Sequence, residues 1–463
     1  MNWKQILSEK RRRPTTREKS DTDNRNEFDS DRGRVVFSPA IRRMHDKTQV
    51  FPLTIDDSIH TRLTHSMEVS SVAESLGLNL ISNKEFIEHS MLDADSLNNI
   101  PTILRTTALC HDIGNPPFGH FGERVIGEYF RGYFSENEST ISNDQKKEFA
   151  KFDGNAQGFR VLTKTLSLHD SYGINLTAGT LSGFLKYPFL VKDENSFAKY
   201  GVFGSEKDDL LFIENETGIS KKRNPLVFLM EAADDICFLN MDIEDGFNKN
   251  YYDYDFIYDY LMDTKDAYIM EIVNGLFEKE AYKPKSNADY QRNQVVRLRV
   301  RLIQELVETA NMVFWKNIHL IEKGKYFFEL IKDENNYRSQ LSETLNNFCG
   351  EHILNSREIQ TLELKGEKVL NGLLARFVVG LLNYGIEGNK FYKKRAERLI
   401  SLLSGSLLNA VFLENNIGEG CVNERFKKLD EYSRLHLIVD FISGMTDKYA
   451  LTLYQKISGI TLN

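Results

Sequence analysis

The sequence predicts a mainly α-helical protein with at most a few short strands. Two long segments, residues 287–316 and 363–382, carry apolar side chains at helical spacing, and shorter stretches before residue 111 do the same. Only 9 of the 463 residues are proline, so few positions interrupt a helix. Residues 187–220 break the pattern with mixed polar and glycine-bearing sequence, and we expect a short hairpin or an irregular excursion there.

The N-terminal segment, residues 1–34, is predicted to be polar and mobile. Residues 15–34 are charged and contain almost no apolar side chains, so the ordered body is expected to begin near Val35. The basic run at residues 10–13 is interpreted as a solvated tail, because short runs of this kind seldom bind nucleic acid.

Bulk properties narrow the class of protein. The four cysteines lie far apart and form no CxxC pair, which argues against a disulfide framework and a zinc ribbon. The first residues lack a secretory signal, and no apolar run approaches the roughly 20 residues of a membrane span. We therefore expect a cytoplasmic protein with no membrane partner. Because the net charge is −8, an anionic ligand needs a local basic cluster.

Two motifs in the first third of the chain carry ligand-type side chains. His65 lies near the start of an amphipathic segment, and alone it proves little. The adjacent pair His111 and Asp112 stands where a glycine and two prolines must end a helix, so both side chains can approach one cation. His120 and Glu123 follow at i, i+3 spacing on a predicted new helix, where they can share a proton-transfer role.

A third motif places acids inside an apolar helix. Across residues 224–246, Glu231, Asp234, Phe238 and Asp242 share one stripe, while Leu and Ile populate the remaining faces. A solvated acidic face is one interpretation. We favour ligand binding, because a carboxylate among apolar side chains is costly unless it is paired or bound to a cation.

Taken together, His65, His111, Asp112 and Asp234 offer two imidazoles and two carboxylates. This set suits one divalent metal ion with positions left for water and a phosphate oxygen. Manganese, iron, cobalt or nickel would accept the histidines more readily than magnesium, although cellular abundance can override that preference.

These motifs resemble a known family. The order H…HD…D is that of HD-domain phosphohydrolases, and six longer blocks are similar to those of the dGTP triphosphohydrolases: KTQVFPL, RLTHSMEV, HDIGNPPFGHFGE, FDGNAQGFR, LMEAADDI and FISGMTDKYAL. The resemblance implies hydrolysis of a deoxynucleoside triphosphate to the deoxynucleoside and inorganic triphosphate by attack of water at the α-phosphorus. It also implies that the four residues of the preceding paragraph bind the metal.

Further roles follow from the resemblance, position by position. His120, oriented by Glu123, would transfer a proton beside the α-phosphate. Gln49 and Asp242 match positions that contact the deoxyribose. Phe238 stands where the family commonly has tyrosine, so its ring can pack against the sugar but cannot hydrogen-bond to it. Selection against ribonucleotides is therefore expected to be looser or to rest more on Gln49.

The triphosphate and the base need further partners. Arg62, Lys186 and Arg223 are candidates for binding the triphosphate, and each is equally well interpreted as a surface charge. Glu363 is a candidate for reading guanine, because a carboxylate accepts hydrogen bonds from N1 and N2 of that base.

The resemblance also suggests an organisation and partners. Residues 35–250 would form the HD-domain catalytic core, and residues 251–463 a helical region that completes the substrate pocket and the oligomer contacts. A homo-oligomer, either a tetramer or a hexamer, is expected, whereas nothing in the sequence supports binding of single-stranded DNA. The alternatives are an HD phosphodiesterase acting on another nucleotide and a catalytically silent nucleotide sensor.

Overall fold

The prediction of a mainly helical fold is confirmed. The computed structural model describes residues 1–13, 23–54, 56–166, 170–193, 199–275, 286–385 and 390–460. Within these ranges, the α-helices are α1 Trp3–Ile6, α2 Glu27–Val36, α3 Pro39–Arg43, α4 Arg62–Ser82, α5 Lys84–Ser90, α6 Ala94–Cys110, α7 Gly119–Glu136, α8 Asn143–Ala150, α9 Gly154–Arg160, α10 Ala178–Phe184, α11 Lys207–Thr217, α12 Pro225–Asn248, α13 Tyr254–Asp263, α14 Ala267–Asn274, α15 Asn287–Glu322, α16 Ser339–Cys349, α17 Arg357–Leu382, α18 Lys390–Ile400, α19 Gly405–Glu414, α20 Val422–Lys427, α21 Glu431–Ser443 and α22 Asp447–Ile457.

Extended structure in the described ranges is limited to isolated β-bridges. One of them joins Leu190 to Val202 in parallel, within the region expected to hold a hairpin or an irregular excursion. A hairpin would need antiparallel pairing, so the irregular alternative describes these residues better, and the region ends in helix α11. Residues 194–198 lie outside the described part of the chain.

Three helices that carry site residues pack together at the centre of the fold. Helix α4 lies against α6, and α12 packs on both of them. Thr61 caps α4 with its side chain, and Thr64 returns the hydrogen bond, which explains why the helix begins at Arg62. Asn224 caps α12 ahead of a proline at the first helical position, so this helix also has a fixed start.

Hydrophobic packing joins early and late parts of the chain. One cluster of buried side chains contains residues of α4, α6 and α12 together with residues of α15 and α16. A second cluster joins α7 to α17, α21 and α22. Side chains from both sides of position 250 therefore share cores, and the functional division of residues 35–250 from residues 251–463 stays a prediction.

The N-terminal segment contains packed helical structure that the sequence did not predict. Residues 27–36 form α2, and Phe28 is fully buried. Arg11 is not a solvated tail residue: its guanidinium is buried and pairs with Glu27 and, at 2.6 Å, with Asp31. The charge-rich composition concealed this packing because its acids and bases neutralise each other across the fold. Residues 14–22 of the expected mobile segment lie outside the described residues.

In the described part of the chain, no single helix has the length and apolar composition to cross a membrane. One sharply bent pair of helices, Phe391–Ile400 with Gly405–Glu414, passes that test only when the two are taken together.

Candidate metal centre and nucleotide site

The first predicted ligand lies one turn into α4. His65 is fully buried, and its Nε2 lies 3.0 Å from Oδ1 of Asp234 on α12. The packing of α4 on α12 creates this approach, so two residues 169 positions apart meet at one point.

The second ligand stands at the end of α6, as the helix-breaking residues predict. Nδ1 of His111 lies 2.6 Å from the carbonyl oxygen of Ala108. A carbonyl only accepts, so Nδ1 carries the proton, and Nε2 of the neutral ring keeps its lone pair. That Nε2 is buried without a hydrogen-bond partner among the described residues, and it lies 3.3 Å from Oδ1 of Asp234.

These three residues together fit a divalent metal. One donor atom from each of His65, His111 and Asp234 lies within 4.8 Å of the other two. Burial works against charge on both His111 and Asp234, but neighbouring charges outweigh it. Asp112 and Asp234 raise the pKa of His111 to about 9, whereas His111 and His65 lower the pKa of Asp234 well below its usual range. The negative field that favours a proton on His111 equally favours a cation.

Asp112 lies beside this group but is also held by other partners. Its Oδ1 is 3.5 Å from Nε2 of His111 and accepts a hydrogen bond from Asn115, while its Oδ2 pairs with Arg62 at 2.5 Å. Burial alone would raise the pKa of Asp112, but Arg62 and His111 outweigh it and lower the pKa to about 2. Asp112 is therefore an anion at neutral pH, available as a fourth ligand.

The predicted proton-transfer pair forms at the start of α7. Nδ1 of His120 lies 2.9 Å from Oε2 of Glu123, and the His120 side chain is 83% exposed. The other Glu123 oxygen accepts a hydrogen bond from the backbone N–H of Gly154 at 2.7 Å. A Cβ at position 154 would lie 2.4 Å from that oxygen, so only glycine permits this approach. Hydrogen bonding to Glu123 raises the pKa of His120.

Two of the residues matched to the sugar have unsatisfied polar atoms. Oε1 of Gln49 and both carboxylate oxygens of Asp242 are buried without a hydrogen-bond partner among the described residues. Burial raises the pKa of Asp242 well above its usual range, and Asp245 adds to this shift. This shift is towards the protonated form, in which a carboxyl group can donate as well as accept. Phe238 is half-buried against the first hydrophobic cluster.

Two candidate phosphate cations converge on one acid. Glu231 forms one ion pair with Lys186 at 2.9 Å and another with Arg223 at 2.6 Å. Burial opposes the charge on Glu231, but these two cations outweigh it and lower its pKa. Arg62 also differs from a surface charge, because it is buried and paired with Asp112. Each of the three candidate cations is thus held by an ion pair, Lys186 and Arg223 with Glu231, and Arg62 with Asp112.

The residue proposed to read guanine lies on a neighbouring helix. Glu363 of α17 is 3.6 Å from the guanidinium of Arg124 on α7, the helix that begins beside His120. It is partly exposed and does not join the His and Asp group described above.

Two residues that connect the segments of the site, Lys47 and Asp447, were not singled out from the sequence. Lys47 is buried and donates to the carbonyl oxygens of Asn115 and Ser443, and burial lowers its pKa to about 7. Asp447 accepts from the backbone N–H and hydroxyl of Thr48 and from the N–H of Phe118. The blocks KTQVFPL and FISGMTDKYAL contained these residues, but no pattern within either block reveals its partner.

A cavity of about 780 Å³ lies behind this network. It is lined by Lys47 and Ile113, by three arginines, and by residues from α21 and the start of α22. None of the predicted site residues lines it, so this cavity is not the expected nucleotide pocket.

Comparison with known proteins identifies the domains to which the site residues belong. Residues 62–166 match the HD domain, and residues 388–456 match the phosphohydrolase-associated domain. The first range contains three of the predicted ligands, His65, His111 and Asp112, together with the predicted proton-transfer pair, whereas Asp234 follows it. The protein is a metal-dependent phosphohydrolase of the HD class.

Relatives of similar length narrow the assignment. A deoxyguanosinetriphosphate triphosphohydrolase-like protein of Listeria innocua is 35% identical over the whole of both chains. A protein of the same description from Synechocystis is 32% identical, also over the whole of both chains. The deoxyguanosinetriphosphate triphosphohydrolase of Salmonella typhimurium is 31% identical over 94% of each chain. This chain belongs to the deoxyguanosinetriphosphate triphosphohydrolase-like family, which confirms the resemblance seen in the motif blocks.

Proposed function

We propose that this protein hydrolyses deoxynucleoside triphosphates, dGTP foremost, to the deoxynucleoside and inorganic triphosphate. The observation that carries the proposal is the convergence of His65, His111 and Asp234 within 4.8 Å, with Asp112 beside them. One divalent ion per subunit, manganese, magnesium or another transition metal, would be held there and would stabilise negative charge on a phosphate oxygen.

The exposed pair at the start of α7 supports cleavage between the α-phosphorus and O5′. In this reaction a water oxygen bonds to the α-phosphorus, the bond from phosphorus to O5′ breaks, and O5′ takes up a proton. The raised pKa of His120 favours its protonated form, which suits a donor to the leaving oxygen. Glu123, anchored by Gly154, fixes the orientation of the ring.

The remaining contacts support a nucleoside triphosphate as the substrate. Buried Asp242 and the amide of Gln49 have unsatisfied polar atoms, as expected for groups that bind a 3′ hydroxyl. Lys186 and Arg223, held by Glu231, and Arg62, held by Asp112, are proposed to bind the phosphates. Glu363 is proposed to bind guanine, and Phe238 to pack against the sugar.

The substrate test is a panel of the common ribo- and deoxyribonucleoside triphosphates, each with Mn²⁺, Mg²⁺ or Co²⁺, with the products separated by anion exchange. Release of intact triphosphate from a deoxynucleotide supports the proposal. Release of pyrophosphate with a nucleoside monophosphate, or turnover of cyclic nucleotides alone, would instead favour the phosphodiesterase alternative. Binding without turnover under every metal would favour the nucleotide sensor.

The metal site is tested by a matched pair of adjacent aspartates on α12. Asp234→Asn removes a predicted ligand, whereas Asp235 pairs with Lys332 at 2.8 Å and is not placed in the site. We expect Asp234→Asn to abolish turnover and to lower metal content measured by inductively coupled plasma mass spectrometry, with Asp235→Asn retaining both. Normal metal content and rate in Asp234→Asn would refute the assignment.

Assembly and location belong to the same proposal. We expect a cytoplasmic homo-oligomer, a tetramer or hexamer, with residues 251–463 supplying subunit contacts. Exposed apolar side chains on this part of the chain, among them Val300, Leu364 and Tyr392, support such contacts. Light scattering coupled to size exclusion measures the subunit number, and a monomer at micromolar concentration would contradict the expectation.

A further inference from the structure

A second group of metal-type side chains lies outside the HD motif. His319 and Glu322 occupy the last turn of α15 at i, i+3 spacing, so both project from one face of that helix. His89, in the last turn of α5, meets them there. One donor atom from each of the three lies within 4.8 Å of the other two.

The donor atoms of this group lie slightly closer together than the ligand atoms of a metal-bound site. Nε2 of His89 lies 2.8 Å from Oε1 of Glu322, and the rings of His89 and His319 are 5.2 Å apart at 74°. Tetrahedral zinc with bonds of about 2.1 Å holds its ligand atoms roughly 3.4 Å apart. Opening the His89 and Glu322 contact by about half an ångström would therefore admit the ion. His319 is exposed, so its ring can move to complete the group.

The carboxylate is already oriented by a further residue. The indole N–H of Trp3, buried on α1, donates to Oε1 of Glu322 at 2.7 Å. Metal-binding carboxylates are typically held by such outer hydrogen bonds. Glu322 also lies at the negative end of a long helix, where an anion is unfavourable. Within the described ranges no lysine or arginine forms an ion pair with Glu322. A bound cation would therefore offset both the unfavourable position at the helix end and the missing basic partner.

We propose that His89, His319 and Glu322 bind a zinc ion, separate from the HD metal, which fastens α1 and α5 to the end of α15. Two imidazoles and one carboxylate are a ligand set that zinc accepts, with the fourth position open to water. The group shares no residue with the HD site, and the role assigned to the ion is structural.

The first experiment counts zinc in the full-length protein by mass spectrometry after equilibration and dialysis, in the Asp234→Asn background. This background weakens the HD site, so that the second site dominates the count. His319→Ala removes an exposed ring that makes no hydrogen bond in the described structure, and His45→Ala removes another exposed histidine elsewhere. We expect His319→Ala to lose one equivalent of zinc and His45→Ala to lose none. Equal zinc content in the two variants would overturn the proposal.

The second experiment measures zinc affinity and stability in the otherwise unaltered protein. Trp3→Phe keeps the apolar contact with Phe86 but removes the N–H that orients Glu322. We expect Trp3→Phe to weaken zinc binding at this site by about 10- to 100-fold while sparing the HD metal. Zinc should raise the Tm of the protein, and less so in His319→Ala. If zinc raised the Tm of the parent protein and of His319→Ala by the same amount, the group would be an ordinary ion pair.

Discussion

Asp447 is predicted to position two loops of the active site. Its carboxylate accepts the N–H of Thr48 at 3.1 Å, the hydroxyl of Thr48 at 2.6 Å and the N–H of Phe118 at 3.0 Å. Thr48 precedes Gln49, and Phe118 stands two residues before His120, so one buried side chain fixes the approaches to both. Phe118 also adopts a left-handed conformation, with φ of 66°, which this hydrogen bond helps to hold.

The expected effect of a substitution follows from the hydrogen bonds that it removes. Asp447→Ala strands two backbone N–H groups, and at about 1–3 kcal/mol each the free energy of unfolding should fall by roughly 2–6 kcal/mol. Asp447→Asn keeps the size of the side chain and one acceptor oxygen, so it should cost about 1–3 kcal/mol. A displacement of about 1 Å at His120 would reduce kcat by up to about 100-fold.

The assay compares the unaltered protein, Asp447→Asn and a control variant by urea unfolding, metal content and steady-state kinetics on dGTP. Asp430→Asn is the control, because the exposed Asp430 side chain caps its own helix, α21, by accepting from the backbone N–H of Ser433. We expect Asp447→Asn to remain folded and metal-loaded with kcat lowered at least 10-fold, and Asp430→Asn to match the unaltered protein. If Asp447→Asn kept its kcat and its stability, the positioning argument would be refuted.

Four further predictions concern individual residues. His120→Ala should retain metal and nucleotide binding while kcat falls about 100-fold or more, and a parallel loss of binding would reassign it as a binding residue. Gln49→Ala should lower kcat/KM for dGTP by a factor equivalent to ~1–3 kcal/mol, and Phe238→Tyr should sharpen the ratio of dGTP to GTP efficiency; unchanged kcat/KM in Gln49→Ala would place the sugar elsewhere. Burial lowers the pKa of His60, but hydrogen bonds to Asp245 and Glu68 outweigh the effect of burial and raise the pKa to about 10. Because this folded-state pKa exceeds the unfolded value, the stabilisation by His60 is complete below pH 6.5 and is lost as pH rises towards 10. Urea unfolding should therefore show the gap between the parent and His60→Gln narrowing over that range, and a gap independent of pH would contradict the ion pair.

Two of the long helices were predictable from local apolar spacing, although the structure extends each of them beyond the predicted range. Residues 287–316 predicted a helix that the structure extends to Glu322, since apolar spacing continues to Ile321 before Gly324 ends it. The helix predicted over residues 363–382 begins earlier, at Arg357, because Ser356 supplies a cap that the apolar pattern does not include.

The partners of charged side chains were not predictable in the same way. The stripe on α12 marked Glu231 and Asp242 as unusual, but not that one is paired by two cations and the other has no hydrogen-bond partner among the described residues. Arg11 shows the same limit, because its acids lie 16 and 20 residues away on a helix that composition concealed. Hydrophobic spacing is a local signal, whereas charge pairing is decided by the finished tertiary fold.

The order of synthesis gives the contact of Asp447 with Thr48 and Phe118 a consequence for the nascent chain. Ribosomes deliver all four predicted metal ligands well before they deliver Asp447, and domains tend to fold as they emerge. A chain interrupted between these points would therefore contain every ligand but lack the carboxylate that fixes the loops leading to Gln49 and His120. A product truncated between these points is therefore expected to lack the order at Gln49 and His120 that turnover is proposed to need.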